Sequence, residues 1–192
     1  MDRQNRRLVT AEVMSRLDAE TISRIGIPGD VLMENAGQKC WTRVRRRLTR
    51  SGAGRVVFIA GNGNNGGDSL VMARQCHVEG AFPGQVVTVR REVKGSARTQ
   101  WDYLSRLGLE RLVWEDQREA VTELLAELTV RDVIVDGITG TGLAGPLRTA
   151  EAELVADINA SSAAVYAIDA VSYTHLRAHE TVLDLVCRLL LE

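Results

Sequence analysis

Residues 56–68 read Val56-Val57-Phe58-Ile59-Ala60-Gly61-Asn62-Gly63-Asn64-Asn65-Gly66-Gly67-Asp68. The first five are apolar and partly β-branched, so they predict a strand buried on both faces. The run Ser69 to Glu79 that follows is helix-like. Between them stand four glycines, three asparagines and one aspartate, which cannot form a core. They predict a tight polar turn from strand to helix, with backbone N–H groups facing a ligand. A turn of this kind at the carboxyl end of a strand is where open α/β sheets bind ligands.

Outward from this stretch the chain alternates helices and short apolar strands. Thr10 to Ile25 is helix-like, with Thr10 as N-cap, and Gly26-Ile27-Pro28-Gly29 breaks it. Val31 to Leu48 predicts a second helix with an irregular start at Glu34-Asn35-Ala36-Gly37. Strands are expected at 56–60, 85–89, 133–135 and 163–168, and helices at 97–107, 117–128 and 151–159. Buried strands separated by helices imply a Rossmann-like three-layer αβα sandwich around a mostly parallel sheet. In such a sheet all carboxyl ends lie on one edge. Gly61–Asp68, Asp136–Pro146 and Asp169–Ser172 are therefore expected to converge on one crevice.

Composition narrows the function. The chain has 192 residues, 45% hydrophobic and 26% charged, enough for one packed α/β domain. A net charge of −1 gives no electrostatic drive toward nucleic acid or an anionic membrane, and no apolar run approaches the roughly 20 residues of a membrane span. Residues 1–7 are polar and lack the apolar core of a signal peptide. Cys40, Cys76 and Cys187 are odd in number, lack metal spacing and read as reduced thiols, hence a cytoplasmic protein. The arginines at 43, 45, 46, 47 and 50 read as a solvated helix face or an inter-subunit patch, and Trp41, Trp101 and Trp114 as packing residues.

Gly61, Gly63 and Gly66 satisfy G-x-G-x-x-G, a weak signal alone. Where a dinucleotide fold wants an acidic residue, the next strand ends in Arg90-Arg91, which leaves open an ordinary NADP-binding fold. Asn64-Asn65 and Gly67-Asp68 are unusual in a pure phosphate turn. Their side-chain oxygens suit a cation or a ligand's hydroxyl groups. On the plainest reading Asp68 only caps the following helix. Asp136-Gly137-Ile138-Thr139-Gly140-Thr141-Gly142-Leu143-Ala144-Gly145-Pro146 is a second glycine-rich loop, whose glycines permit close approach and positive φ.

Taken with Val9-Thr10-Ala11-Glu12-Val13-Met14, Gly26-Ile27-Pro28 and Leu32-Met33-Glu34-Asn35-Ala36-Gly37, these loops resemble the NAD(P)H-hydrate epimerase family, the YjeF N-terminal domain. The likeness covers about residues 8–172. It implies interconversion of the R and S forms of NADHX and NADPHX, nicotinamide cofactors hydrated at C6. It also implies one potassium ion per subunit, a homodimer, and action beside or in fusion with an NAD(P)H-hydrate dehydratase. By motif, Asn64, Asn65, Gly66, Gly67 and Asp68 would contact substrate. Gly140, Thr141, Gly142, Leu143, Ala144, Gly145 and Pro146 would cover its phosphates. Asn65, Asp136 and Ser172 would ligate potassium. Asp169 would contact the hydrated ring and act as the acid/base, with Asp68 the second choice for that role.

After Asp169 the chain departs from the family pattern of Asp, apolar residue, Pro, Ser, Gly: here Ala170-Val171-Ser172-Tyr173 follows. Residues 173–192 look foreign to the family and resemble translated read-through of a sequencing adaptor. The expected organisation is an incomplete epimerase domain over 1–172 and a non-family tail over 173–192, with the C-terminal elements missing or replaced. Such a chain would leave a sheet edge open and be less stable than a complete domain. His175 and His179 mimic a metal pair at i, i+4 but lack a third ligand. Two other functions compete: a non-catalytic scaffold, which would be expected to lose Asn64–Asp68 and Asp136, and an NADP-dependent oxidoreductase, for which no hydride-transfer partner is visible.

Overall fold

The computed structural model describes residues 11–52, 54–140, 147–169 and 180–181. Helix α1 (Ala11–Glu20) runs into a π-helical turn (Thr21–Ile25), which Gly26 closes in the left-handed conformation. Then follow α2 (Gly29–Ser51), β1 (Val56–Ala60), α3 (Asn64–Glu79), β2 (Gly84–Thr88), α4 (Gly95–Arg106), β3 (Arg111–Val113) and α5 (Arg118–Ala126). After these come β4 (Val133–Gly137), α6 (Thr149–Ala160), β5 (Ala164–Ala167) and the two-residue β6 (Glu180–Thr181).

The strands form one parallel sheet in the order β3-β2-β1-β4-β5-β6. From β1 the chain winds outward through β2 and β3, then returns to the other side of β1 with β4. Right-handed crossovers in opposite directions place helices on opposite faces. Val56, Phe58 and Ala60 pack with Trp41, Val44 and Leu48 of α2, Leu70 and Met72 of α3, and Leu104 of α4. Val57 and Ile59 point the other way, among Val121 and Leu125 of α5 and Leu154 and Ile158 of α6. The period-two alternation of one apolar strand thus serves two cores, and the architecture is the expected αβα sandwich.

Several local expectations are corrected. The second helix is continuous from Gly29, without an irregular start. Gly37 lies in its interior because a β-carbon there would stand 2.4 Å from Val71 Cγ1 of α3. Helix α3 begins at Asn64, so Asn64–Gly67 form its first turn and Asp68 is no cap; Gly63 holds that position. Strand β3 was not foreseen. The edge expected to be open at β5 is paired at Tyr166 and Ala167 by β6, which lies in the segment set apart as a tail. Exposed N–H and C=O groups of an edge strand accept any extended segment within reach. The His175/His179 pair and Cys187 lie outside the described residues, and Cys40 and Cys76 are buried free thiols.

Candidate active site

The strand order reverses between β1 and β4, and their carboxyl ends flank the crevice where sheets of this kind bind ligands. Ala60 pairs with Gly137, and the Gly61 N–H donates to the Gly137 carbonyl at 3.0 Å. The glycines here serve close approach. None of Gly61, Gly63, Gly66, Gly67, Gly137 and Gly140 has positive φ, and Gly142 and Gly145 of the second loop lie outside the described residues. A β-carbon on Gly61 would lie 2.0 Å from the Ile138 carbonyl oxygen, and one on Gly66 2.0 Å from that of Gly61. One on Gly137 would meet the Asn65 carbonyl oxygen at 2.6 Å, and one on Gly140 the Asn65 amide nitrogen at 2.6 Å. The first turn of α3 is therefore pressed onto the ends of β1 and β4. The positive end of the helix dipole therefore lies at the crevice.

The two asparagines are held by different neighbours. Asn65 Nδ2 donates to the Thr139 carbonyl at 2.6 Å, which fixes the amide and directs Oδ1 away from that carbonyl. Asn64 Oδ1 accepts from the Ser96 hydroxyl at 2.9 Å, at the start of α4. Asp136 is fully buried in β4, and its Oδ1 accepts from the Ile138 N–H at 2.9 Å. Asn65, the Thr139 carbonyl and Asp136 put hard oxygen donors at one place. That chemistry fits an alkali cation better than a transition metal. Among the described residues no group of three His, Cys, Asp or Glu side chains could hold a metal.

Asp169 is buried at 2% exposure just beyond β5. Its neighbour Asp68 is partly buried on α3. Burial first, then the negative charges of Asp18 and Asp169, push the Asp68 carboxyl up to about 8. Beside it lies a cavity of about 270 Å³ walled by Met14 and Asp18 of α1, Met33 of α2, Asn64, Asp68 and Ser96. On the other flank of the Gly61 loop a second cavity of about 200 Å³ is lined by Gly61, Asn62, Arg90, Thr139, Arg148 and Glu151. Arg90 is committed to Glu115 at 3.4 Å and Glu151 at 3.2 Å, and Arg91 to Asp116 at 3.0 Å. Both arginines that the oxidoreductase reading would turn to a 2′-phosphate are engaged in ion pairs.

The fold thus gathers Asn64, Asn65, Gly66, Gly67, Asp68, Asp136, Gly140 and Asp169 at one sheet edge. Thr141, Gly142, Leu143, Ala144, Gly145, Pro146 and Ser172 lie outside the described residues. Asp18, Met33 and Ser96 were missed as site residues. A signal existed for Asp18, a carboxylate four residues after Met14 on the same helix face. None existed for Ser96.

The family model described as YjeF-related protein N-terminus matches residues 29–182. The bifunctional NAD(P)H-hydrate repair enzyme Nnr of Moorella thermoacetica is 35% identical over 164 residues, covering 84% of this chain and 31% of the relative. The NAD(P)H-hydrate epimerase of Rhodopirellula baltica is 32% identical over 162 residues, covering 84% and 63%. That of Limosilactobacillus fermentum is 32% identical over 161 residues, covering 84% and 72%. The chain therefore spans about a third of the bifunctional relative and nearly two thirds of the first epimerase. The crystal structure of yeast ynu0, YNL200c superposes with a TM-score of 0.70 at 25% identity, over 85% of this chain and 70% of that one.

Proposed function

Since this chain belongs to the YjeF-related protein N-terminus family, we propose that it is an isomerase that interconverts the R and S forms of hydrated NADH and NADPH. The observation that carries this reading is the convergence of Asn64–Asp68, Asp136 and Asp169 at the β1/β4 switch point beside a cavity. A non-catalytic module would have no reason to keep two anchored asparagines and three carboxylates there. The N-terminal turn of α3 suits the pyrophosphate of a dinucleotide.

Epimerisation at C6 needs the hydroxyl to leave and return on the other face of the ring. A carboxyl group lends a proton to the hydroxyl, the C6–O bond breaks, and water departs with the bonding pair. The ring nitrogen shares its lone pair with the electron-poor C6. Water then adds to the opposite face and returns its surplus proton, so nothing is consumed. Asp169 is assigned this acid/base role because it is buried beyond the strand next to β4. A potassium ion held by Asn65, Asp136 and Ser172 would supply fixed positive charge near the polar part of the substrate. A homodimer, a cytoplasmic location and partnership with a dehydratase complete the proposal. Relatives named as bifunctional repair enzymes support that partnership. Among the described residues no helix is long and apolar enough to cross a membrane.

The test is the rate of R/S exchange catalysed by Asp169→Asn. A loss of at least about 100-fold, the usual value of a positioned acid/base, is expected with the fold unchanged. Full retention of exchange by the variant would remove Asp169 from the role.

A further inference from the structure

Helix α1 walls one side of the larger cavity, and its Asp18 entered none of the site motifs. Met14 and Asp18 are one helical turn apart and both line that cavity, facing Asp68 and Asn64 of α3 and Met33 of α2. Met33 is itself pinned there, since a β-carbon on Gly67 would stand 2.5 Å from its sulfur. Asp18 is therefore held against the substrate cavity although it begins as a surface-type residue of an exposed helix. A carboxylate that merely solvated α1 would have no cause to face another carboxyl group across a shared space.

We propose that Asp18 is a positioning residue of the proposed epimerase site, which faces Asp68 across the cavity and so keeps that carboxyl group a hydrogen-bond donor to the substrate's hydroxyl, beside the acid/base Asp169. The inference rests on the epimerase reading and deepens it by dividing labour among the carboxyl groups. Two carboxyl groups that line one cavity resist ionising together. The charged and titratable groups around Asp68 agree. Asp18 comes from α1 and Asp169 from the end of β5, and both disfavour its ionisation after burial has already done so. From α2, Asp30 lines the same cavity, and the buried Cys40 thiol is pushed up by burial and by Asp68. Asp18 is itself raised by burial. Asp68 donates a hydrogen bond to the hydroxyl while Asp169 lends it the proton, the C6–O bond breaks to release water, and the water that re-adds returns its surplus proton to Asp169.

The decisive experiment reads the carboxyl groups directly, without substrate. In ¹³C-aspartate-labelled protein, one side-chain carboxyl resonance should titrate near 8 and vanish in Asp68→Asn. In Asp18→Asn its midpoint should move to lower pH by about half a unit or more, while Asp18→Glu should restore it. The alkaline limb of the exchange rate should move the same way in the same variants. A midpoint that stays within about 0.2 of a unit in Asp18→Asn would overturn the proposal. A wild-type protein that accelerates no exchange would overturn the epimerase reading, and the titration would still decide whether Asp18 and Asp68 are coupled.

Discussion

Gly63 and Gly66 stand three residues apart in the same polar run and answer to different constraints. A β-carbon on Gly66 would sit 2.0 Å from the Gly61 carbonyl oxygen, whereas one on Gly63 would meet nothing within 4 Å. Gly66→Ala should cost about 1–3 kcal/mol in urea unfolding, although alanine is the better helix former. Gly63→Ala should cost well under half of that. Asp68 makes a second prediction at this scale. Its folded carboxyl is raised to about 8, above the ordinary value of about 4 in the unfolded chain. The folded state therefore holds the extra proton between those values. The stability associated with the protonated group is full below about pH 4 and is lost as pH rises through 8. Asp68→Asn should leave stability near pH 4 little changed and raise the urea midpoint progressively toward pH 8, where it relieves wild type of a crowded charge. A midpoint difference that does not grow over that range would contradict the assignment. The sequence disclosed Asn65, Asp136 and Gly140 because glycine and amide spacing is a local signal. Asp18 escaped because a helical pattern gives a face but not what lies opposite it.

Helix α3 opens at Asn64, one turn earlier than the glycines suggest. Four glycines in a row of eight normally argue against helix, since each costs about 1 kcal/mol relative to alanine. Tertiary contact overrides that propensity: Gly66 and Gly67 are buried where the Gly61 backbone and Met33 leave no room for a side chain. The same logic governs α2. Propensity alone makes Gly37→Ala stabilising, but the new methyl would lie 2.4 Å from Val71 Cγ1 and 3.2 Å from the Asp68 carbonyl. We expect a loss of about 1–3 kcal/mol, with the sign itself deciding between propensity and packing. At the opposite edge of the sheet, Asp132 accepts from Arg55 N–H at 2.6 Å and from the N–H and hydroxyl of Thr129 at 2.7 and 2.9 Å, joining the start of β4 to that of β1. Burial opposes its charge, yet these donors and the Arg55 cation outweigh it and hold the carboxyl below its usual value. Its stabilisation is present above about pH 4 and lost as pH falls through the lower folded value. Asp132→Asn should therefore cost about 1–3 kcal/mol at pH 7, and the gap should close in acid. β3 was not legible because Arg111–Val113 spans three half-buried residues, too short to show a period.

At the scale of the molecule, four strands and the αβα layering were legible because buried parallel strands read as apolar runs bounded by turns. Their order was not. Nothing local in Val56–Ala60 or Val133–Gly137 says that these two are neighbours, and it is their pairing that creates the switch point. Once they pair, the Gly61 loop and the end of β4 meet, the Asn65 amide reaches the Thr139 carbonyl, and the site motifs become one place. The family match over residues 29–182 accords with that assembly. The most direct test begins from a single purified epimer of hydrated NADPH and follows its conversion to the other by chromatography, with potassium present and absent. The account predicts that this chain speeds the approach to the R/S equilibrium well above the spontaneous rate, more so with potassium, and leaves the equilibrium ratio unchanged. An approach no faster than in buffer alone would contradict it.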